Sequence, residues 1–231
     1  MPLRVPPLHL GHPMVRAERA LSISLSDAPT LTYVVQLAAA ESARARRASD
    51  LDHDGIVSTT EGNAHVDRWS AVLCREVRFA LGRDKYGETH ALSEAKLVSV
   101  ESVGMVAATD DKTQVRVTWT FTLPLVSAED RLRIDDALDI VPFDHTEVRV
   151  LDSPSRPLVG IGDDPSVLSI SPRLAWVDSA RPIGSRSIHI VWRPQPRPVV
   201  PYVPLVFAIA VAGSLGWLWW RRASRQRTIR R

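Results

Sequence analysis

The sequence has one cysteine, Cys74, in 231 residues. That excludes an internal disulfide and any zinc site built from several thiolates. Glycine is scarce too, at 11 residues, and no G-x-S-x-G, H-E-x-x-H, C-x-x-C or phosphate-loop motif occurs. Serine-hydrolase elbows, zincin helices, thiol redox pairs and nucleotide cradles therefore lack their usual anchors, and the chain is not expected to be an enzyme. It also has no broad basic face. Of its 29 Lys and Arg, six fall in the last eleven residues, "RRASRQRTIRR". The rest of the chain holds 23 cationic against 26 acidic side chains, which argues against nucleic acid as a partner.

Charge is missing altogether from one stretch. Residues 203–220, "VPLVFAIAVAGSLGWLWW", form the one long uncharged apolar run. Eighteen helical residues would rise about 27 Å, close to the roughly 30 Å of bilayer hydrocarbon. Trp217, Trp219 and Trp220 gather at one end, as indoles do at a headgroup interface, and Arg221 and Arg222 follow at once. The expectation is a single membrane span with residues 221–231 as a cytoplasmic tail, since Arg-rich short tails stay inside. The N-terminal portion then lies outside the cell membrane. "MPLRVPPLHLGHP" lacks an unbroken apolar signal core, because Pro6 and Pro7 interrupt it. A start upstream of Met1 is therefore expected. The alternative is a cytoplasmic tail-anchored protein, which would have to carry six Arg across the bilayer. Before the span, residues 193–202 are dense in proline (Pro194, Pro196, Pro198, Pro201) and read as a stiff stalk.

Between an N-terminal segment, 1–14, and the stalk lies the body, 15–192. Its pattern is mostly that of strands. In "VRVTWTFTL", residues 115–123, Val115, Val117, Trp119, Phe121 and Leu123 alternate with Arg and Thr. Shorter candidates are Leu21–Leu25, Leu31–Leu37, Val77–Leu81, Lys96–Val100, Glu147–Leu151, Val167–Ile170 and Ser187–Trp192. "RPIGSRS" ahead of the last reads as a turn. Short strands with polar connections predict a mainly β fold, an antiparallel sandwich. One helical insertion, 38–75, interrupts it: Ala- and Arg-rich 38–49 on one side, and Trp69, Val72 and Leu73 at helical spacing on the other.

Between those helical stretches stands "DLDHDGIVSTTE", residues 50–61. Asp50, Asp52 and Asp54 occupy positions 1, 3 and 5 of a twelve-residue calcium loop. Gly55 occupies position 6, Ile56 position 7, Ser58 position 9 and Glu61 position 12. Calcium takes six to eight oxygens. The pattern offers three converging carboxylates, the Ile56 carbonyl, a water-mediated contact at Ser58 and a bidentate Glu61. Apolar Val57 at position 8 would tie the loop to the core. Magnesium demands a tighter octahedron, so Ca2+ is the expected ion. Gly62 and Asn63 are poor openers for the exiting helix, and no second loop is present. A lone hand is expected to bind weakly, near the roughly 10⁻⁴–10⁻³ M of extracellular modules.

Other candidates are a His9/His12 pair for a transition metal, the acidic doublets Asp110–Asp111, Asp135–Asp136 and Asp163–Asp164 as hydrolytic carboxylates, and Cys74, expected as a small buried hydrophobe. The doublets read mainly as turns, and the histidines as part of a flexible tail.

"GHPM", "LTYVVQLAAAE" and the calcium loop together resemble the extracytoplasmic N-terminal region of bacterial nickel/cobalt transporter-like membrane proteins. His12, Pro13, Tyr33, Val34, Val35, Ala40 and Glu41 follow that family's order over roughly residues 11–90. The resemblance implies an EF-type loop beside a β-rich domain outside the membrane. The family continues into a multi-helix permease, whereas this chain has one candidate span, so permease activity does not carry over. The sequence thus points to a membrane-anchored, extracytoplasmic calcium-binding domain with a structural or interaction role, meeting a membrane-protein partner. The alternatives are an accessory subunit of a nickel/cobalt transporter and a hydrolase using the Asp doublets.

Overall fold

The computed structural model describes residues 16–82, 89–91, 95–125, 130–164, 167–177 and 186–193. Residues 1–14, most of the stalk, the 203–220 run, the basic tail, the His9/His12 pair and most of "RPIGSRS" lie outside the described residues. No helix among those described is long and apolar enough to cross a membrane.

The described chain is mainly β: twelve strands in two sheets, with two helices. In order these are β1 (Ala17–Ser24), β2 (Thr30–Leu37), α1 (Ala39–Ser49), α2 (Thr59–Glu76), β3 (Val77–Gly82), β4 (Thr89–Ala91), β5 (Lys96–Val103) and β6 (Arg116–Thr122). Then come β7 (Arg131–Asp136), β8 (His145–Leu151), β9 (Leu158–Asp164), β10 (Val167–Ser169), β11 (Arg173–Val177) and β12 (Arg186–Trp192). One sheet runs β11-β8-β1-β2-β6-β5 and the other β10-β9-β12-β7-β3-β4.

Each strand expected from alternation is present within a few residues. The all-antiparallel expectation needs correction, because β8 joins β1 in parallel, with Glu18 opposite His145 and Leu21 opposite Val148. A parallel neighbour requires a long connection, and here more than a hundred residues of chain intervene. β4, β7, β9 and β11 were not foreseen. In β7 the inward Leu132 and Ile134 are outnumbered by Arg131, Arg133, Asp135 and Asp136. In β9 the glycines hide a strand; a Cβ at Gly162 would collide with the Val167 carbonyl of β10.

Both sheets contribute to a single hydrophobic core. Tyr33 of β2 meets Trp119 of β6 edge-on, at 6.3 Å between ring centres, and Phe79 of β3 meets Phe121 of β6 at 5.7 Å. Trp119 is fully buried and donates its indole N–H to Ser70 Oγ of α2 at 2.7 Å, so the exiting helix is keyed to the sheet. A polar network also joins the sheets. Asp136 Oδ2 accepts from Arg19 Nη1 (3.0 Å) and Tyr33 OH (2.9 Å), while Oδ1 accepts from the Leu138 N–H. Arg19 further donates from Nε to Thr146 Oγ1 and lies 4.7 Å above the Phe143 ring. Buried charges persist only when paired and hydrogen-bonded in this way.

Candidate metal site

The segment 50–61 connects α1 to α2, and hence β2 of one sheet to β3 of the other. Asp50 caps the end of α1, its N–H bonded to the Arg46 carbonyl at 2.9 Å. The chain then curls. His53 has φ 62° and Gly55 φ 86°, the left-handed region that favours glycine. The Gly55 N–H reaches back to Asp50 Oδ2 at 3.0 Å, the Asp54 N–H to Asp52 Oδ1 at 3.2 Å, and the Ile56 N–H to Asp54 Oδ1 at 2.7 Å.

The result brings ligand oxygens of Asp50, Asp52 and Asp54 within 4.8 Å of one another, an acidic group that could hold a metal ion. Asp52 and Asp54 are exposed, but Asp50 is only 7% exposed, and its Oδ1 is buried with no hydrogen-bond partner. A buried carboxylate oxygen without a donor is costly, and a hard cation would satisfy it. The donor set therefore fits a hard cation: all oxygen, three anionic, on a loop that already converges.

Glu61 is engaged elsewhere in this structure. Its Oε1 accepts from the Leu51 N–H at 2.7 Å, and its Oε2 from the Ser58 N–H at 2.9 Å and Ser58 Oγ at 2.8 Å. The Glu61 N–H in turn bonds Ser58 Oγ at 3.3 Å, completing a capping box that opens α2. These donors, first the Ser58 N–H and then the Leu51 N–H, hold the Glu61 carboxyl down at about 2. Ser58 is thus the N-cap of α2, and Ile56 is exposed on the loop.

The exiting helix is not poorly opened, because the capping box starts it. Gly62 has a packing reason as well: a Cβ there would stand 3.2 Å from Met105 Cγ and 3.3 Å from Val106 Cγ2. Val57 is fully buried, as expected of position 8. The loop leans on the stretch that follows β5, far along the chain. Ile56 forms an isolated antiparallel bridge with Ala108. The Val57 N–H donates to the Ala107 carbonyl and the Thr109 N–H to the Gly55 carbonyl, each at 3.0 Å.

The remaining candidates fall apart from this site. Asp111 Oδ1 accepts from the Thr113 N–H in a turn, Asp135 binds Arg133 and Ser187, and Asp136 is the interior partner of Arg19. Asp163 and Asp164 end β9. Cys74 is a correction: it is exposed on α2, one residue beyond the buried Leu73 and off the helix's inward stripe. Desolvation still raises its thiol above the usual 9.0, away from an activated thiolate.

No family model matches the chain, and no curated protein matches it. Of the residues that carry the resemblance to the transporter-like proteins, His12 and Pro13 lie outside those described. Tyr33, Val34 and Val35 fall in β2, and Ala40 and Glu41 in the first turn of α1.

Proposed function

We propose that the chain is a membrane-anchored extracytoplasmic domain, a β-sandwich with one inserted EF-type calcium site, whose role is structural or interaction-based rather than catalytic. The observations that carry the calcium reading are the three-aspartate cluster and, on its first member, the buried Asp50 Oδ1 that has no hydrogen-bond partner. Asp50, Asp52, Asp54 and the Ile56 carbonyl would hold the ion, with Ser58 through water, and Glu61 would complete the set by giving up its bonds to Leu51 and Ser58. Bound calcium would supply fixed positive charge that relieves carboxylate repulsion and ties α1 to the loop. Support for the anchor comes from the uncharged 203–220 run followed by the Arg-rich tail. That charge pattern also favours a cytoplasmic C-terminus and a partner met at or outside the membrane.

The test is a melt of the chain across a calcium titration. Binding to the folded state alone adds RT ln(1 + [L]/Kd), about 1.4 kcal/mol at calcium tenfold above Kd. A rise of a few degrees that Glu61→Gln largely removes supports the site. No shift at millimolar calcium refutes it. For orientation, a reporter active only in the cytoplasm, fused after Arg231, should be active; silence there reverses the topology.

A further inference from the structure

The segment between β5 and β6, within residues 104–113, touches the second half of the metal loop and both helices that flank it. It bonds the metal loop through the Ala107 carbonyl and the Thr109 N–H. It packs on the first turn of α2 where Met105 and Val106 meet Gly62. Arg46 ties it to α1. That side chain is fully buried, and its recorded hydrogen bonds go to backbone carbonyls of this segment. Nε and Nη2 reach the Gly104 oxygen at 2.9 and 2.5 Å, Nη1 the Asp111 oxygen at 2.6 Å, and Nη2 the Thr113 oxygen at 2.5 Å. The base of the segment is closed at Gly104, whose φ is 78° and where a Cβ would collide with the Gln114 carbonyl. Arg46 also accepts the Asp50 N–H on its own carbonyl. The Arg46 side chain therefore holds the segment that pins the loop's far half from the same turn of α1 that ends at the first ligand.

We propose that residues 104–113 stand in for the missing second metal loop, and that Arg46 is the positioning residue that couples them to metal occupancy. This rests on the calcium reading above. A loop whose two halves are held against one scaffold loses less freedom when the ion binds, and preorganisation of that kind raises affinity. Coupling is reciprocal: a segment that strengthens metal binding is itself steadied by the metal.

The experiment compares calcium affinity, by calorimetric titration of the full chain in detergent, for the parent, Arg46→Met, Arg46→Lys and Thr109→Pro. Thr109→Pro deletes one bridge donor at the surface and serves if the buried Arg46 variants do not fold. Asp136→Asn, destabilising but remote from the loop, is the control. The expected result is a Kd raised about tenfold by Arg46→Met and Thr109→Pro and unchanged by Asp136→Asn, with Arg46→Lys between. Calcium should also slow amide exchange in the peptide covering 104–113, and by less in Arg46→Met than in the parent, a difference that a merely structural Arg46 would not produce. If the parent binds calcium but the variants match its Kd and exchange in 104–113 is indifferent to the ion, the coupling is wrong and the calcium reading stands. If the parent binds no calcium, the calcium reading itself fails, and the coupling with it.

Discussion

Replacing Asp50 by asparagine should change stability in opposite directions with and without calcium. The ligand oxygens of Asp50, Asp52 and Asp54 lie within 4.8 Å of one another. Two unit charges at that distance repel by about 0.9 kcal/mol in a water-like medium and about 3.5 kcal/mol at an effective dielectric of 20. Exposure of Asp52 and Asp54 favours the lower figure. Asp50→Asn removes two of the three repulsions, roughly 1–2 kcal/mol. It also turns the charge-assisted bond from the Gly55 N–H into a neutral one, a loss of about 0.5–1 kcal/mol. The amide N–H₂ then occupies the place of the unpartnered Oδ1. In chelator the variant should be more stable by about 0.5–1 kcal/mol, or roughly 1–4 °C for a domain of this size. At calcium a hundredfold above the parent Kd, the parent gains about 2.7 kcal/mol. A variant weakened a hundredfold gains only about 0.4 kcal/mol, so the order reverses. Paired melts in chelator and in saturating calcium measure this. A variant already less stable in chelator, or one stabilised by calcium as much as the parent, would refute the claim that the cluster stores repulsion which the ion relieves.

Three further outcomes are expected. Asp136→Asn should cost about 3–5 kcal/mol in urea unfolding, because it breaks the buried ion pair with Arg19; a loss below about 1 kcal/mol would show that the network contributes little. Acid should destabilise the fold below neutrality through His65 and His189, whose burial, with Arg68 beside one and Arg131 and Arg133 near the other, holds both below the usual 6.5. As pH falls through 6.5 the unfolded chain takes up protons that the folded chain refuses, so stability drops as pH falls below about 7. His65→Phe, which keeps the ring contact with Trp69, should flatten the slope seen in urea melts at stepped pH. Trp119→Phe should cost about 1–3 kcal/mol by chemical denaturation, since Ser70 Oγ loses its indole donor and a cavity opens.

The three-aspartate cluster was legible because its chemistry is local. Asp50, Asp52 and Asp54 stand at alternate positions, and the turn depends on one glycine in a left-handed conformation. Strands with clean alternation were legible for the same reason. What escaped the sequence depends on partners far along the chain. Asp136 looked like half of an acidic turn, yet its partners Arg19 and Tyr33 lie 117 and 103 residues away. Arg46 stands in an Ala- and Arg-rich stretch that does not set it apart, and its acceptors lie 58 to 67 residues on. β7 carries charges on one face and an aspartate on the other, so its two inward apolar residues could not declare a strand against them.

The position of the loop in the topology bears on what an ion there would do. β2 belongs to one sheet and β3 to the other, and the chain passes between them only through α1, the loop and α2. The loop's two ends are thus the ends of helices that lead into different sheets, and its middle is bonded to the segment between β5 and β6 of the first sheet. Calcium on Asp50, Asp52 and Asp54 would act on the crossover itself, where slack would let α1 and α2 move apart. α2 is already fixed by Trp119 and Ser70, and α1 by Arg46 and by Ser42, whose Oγ accepts the Val115 N–H at 2.8 Å. With both helices pinned independently, the ion has little left to swing. On the calcium reading its effect is then to stiffen and stabilise the crossover between the sheets, as a structural site does, and not to open a helix pair as a sensor hand does.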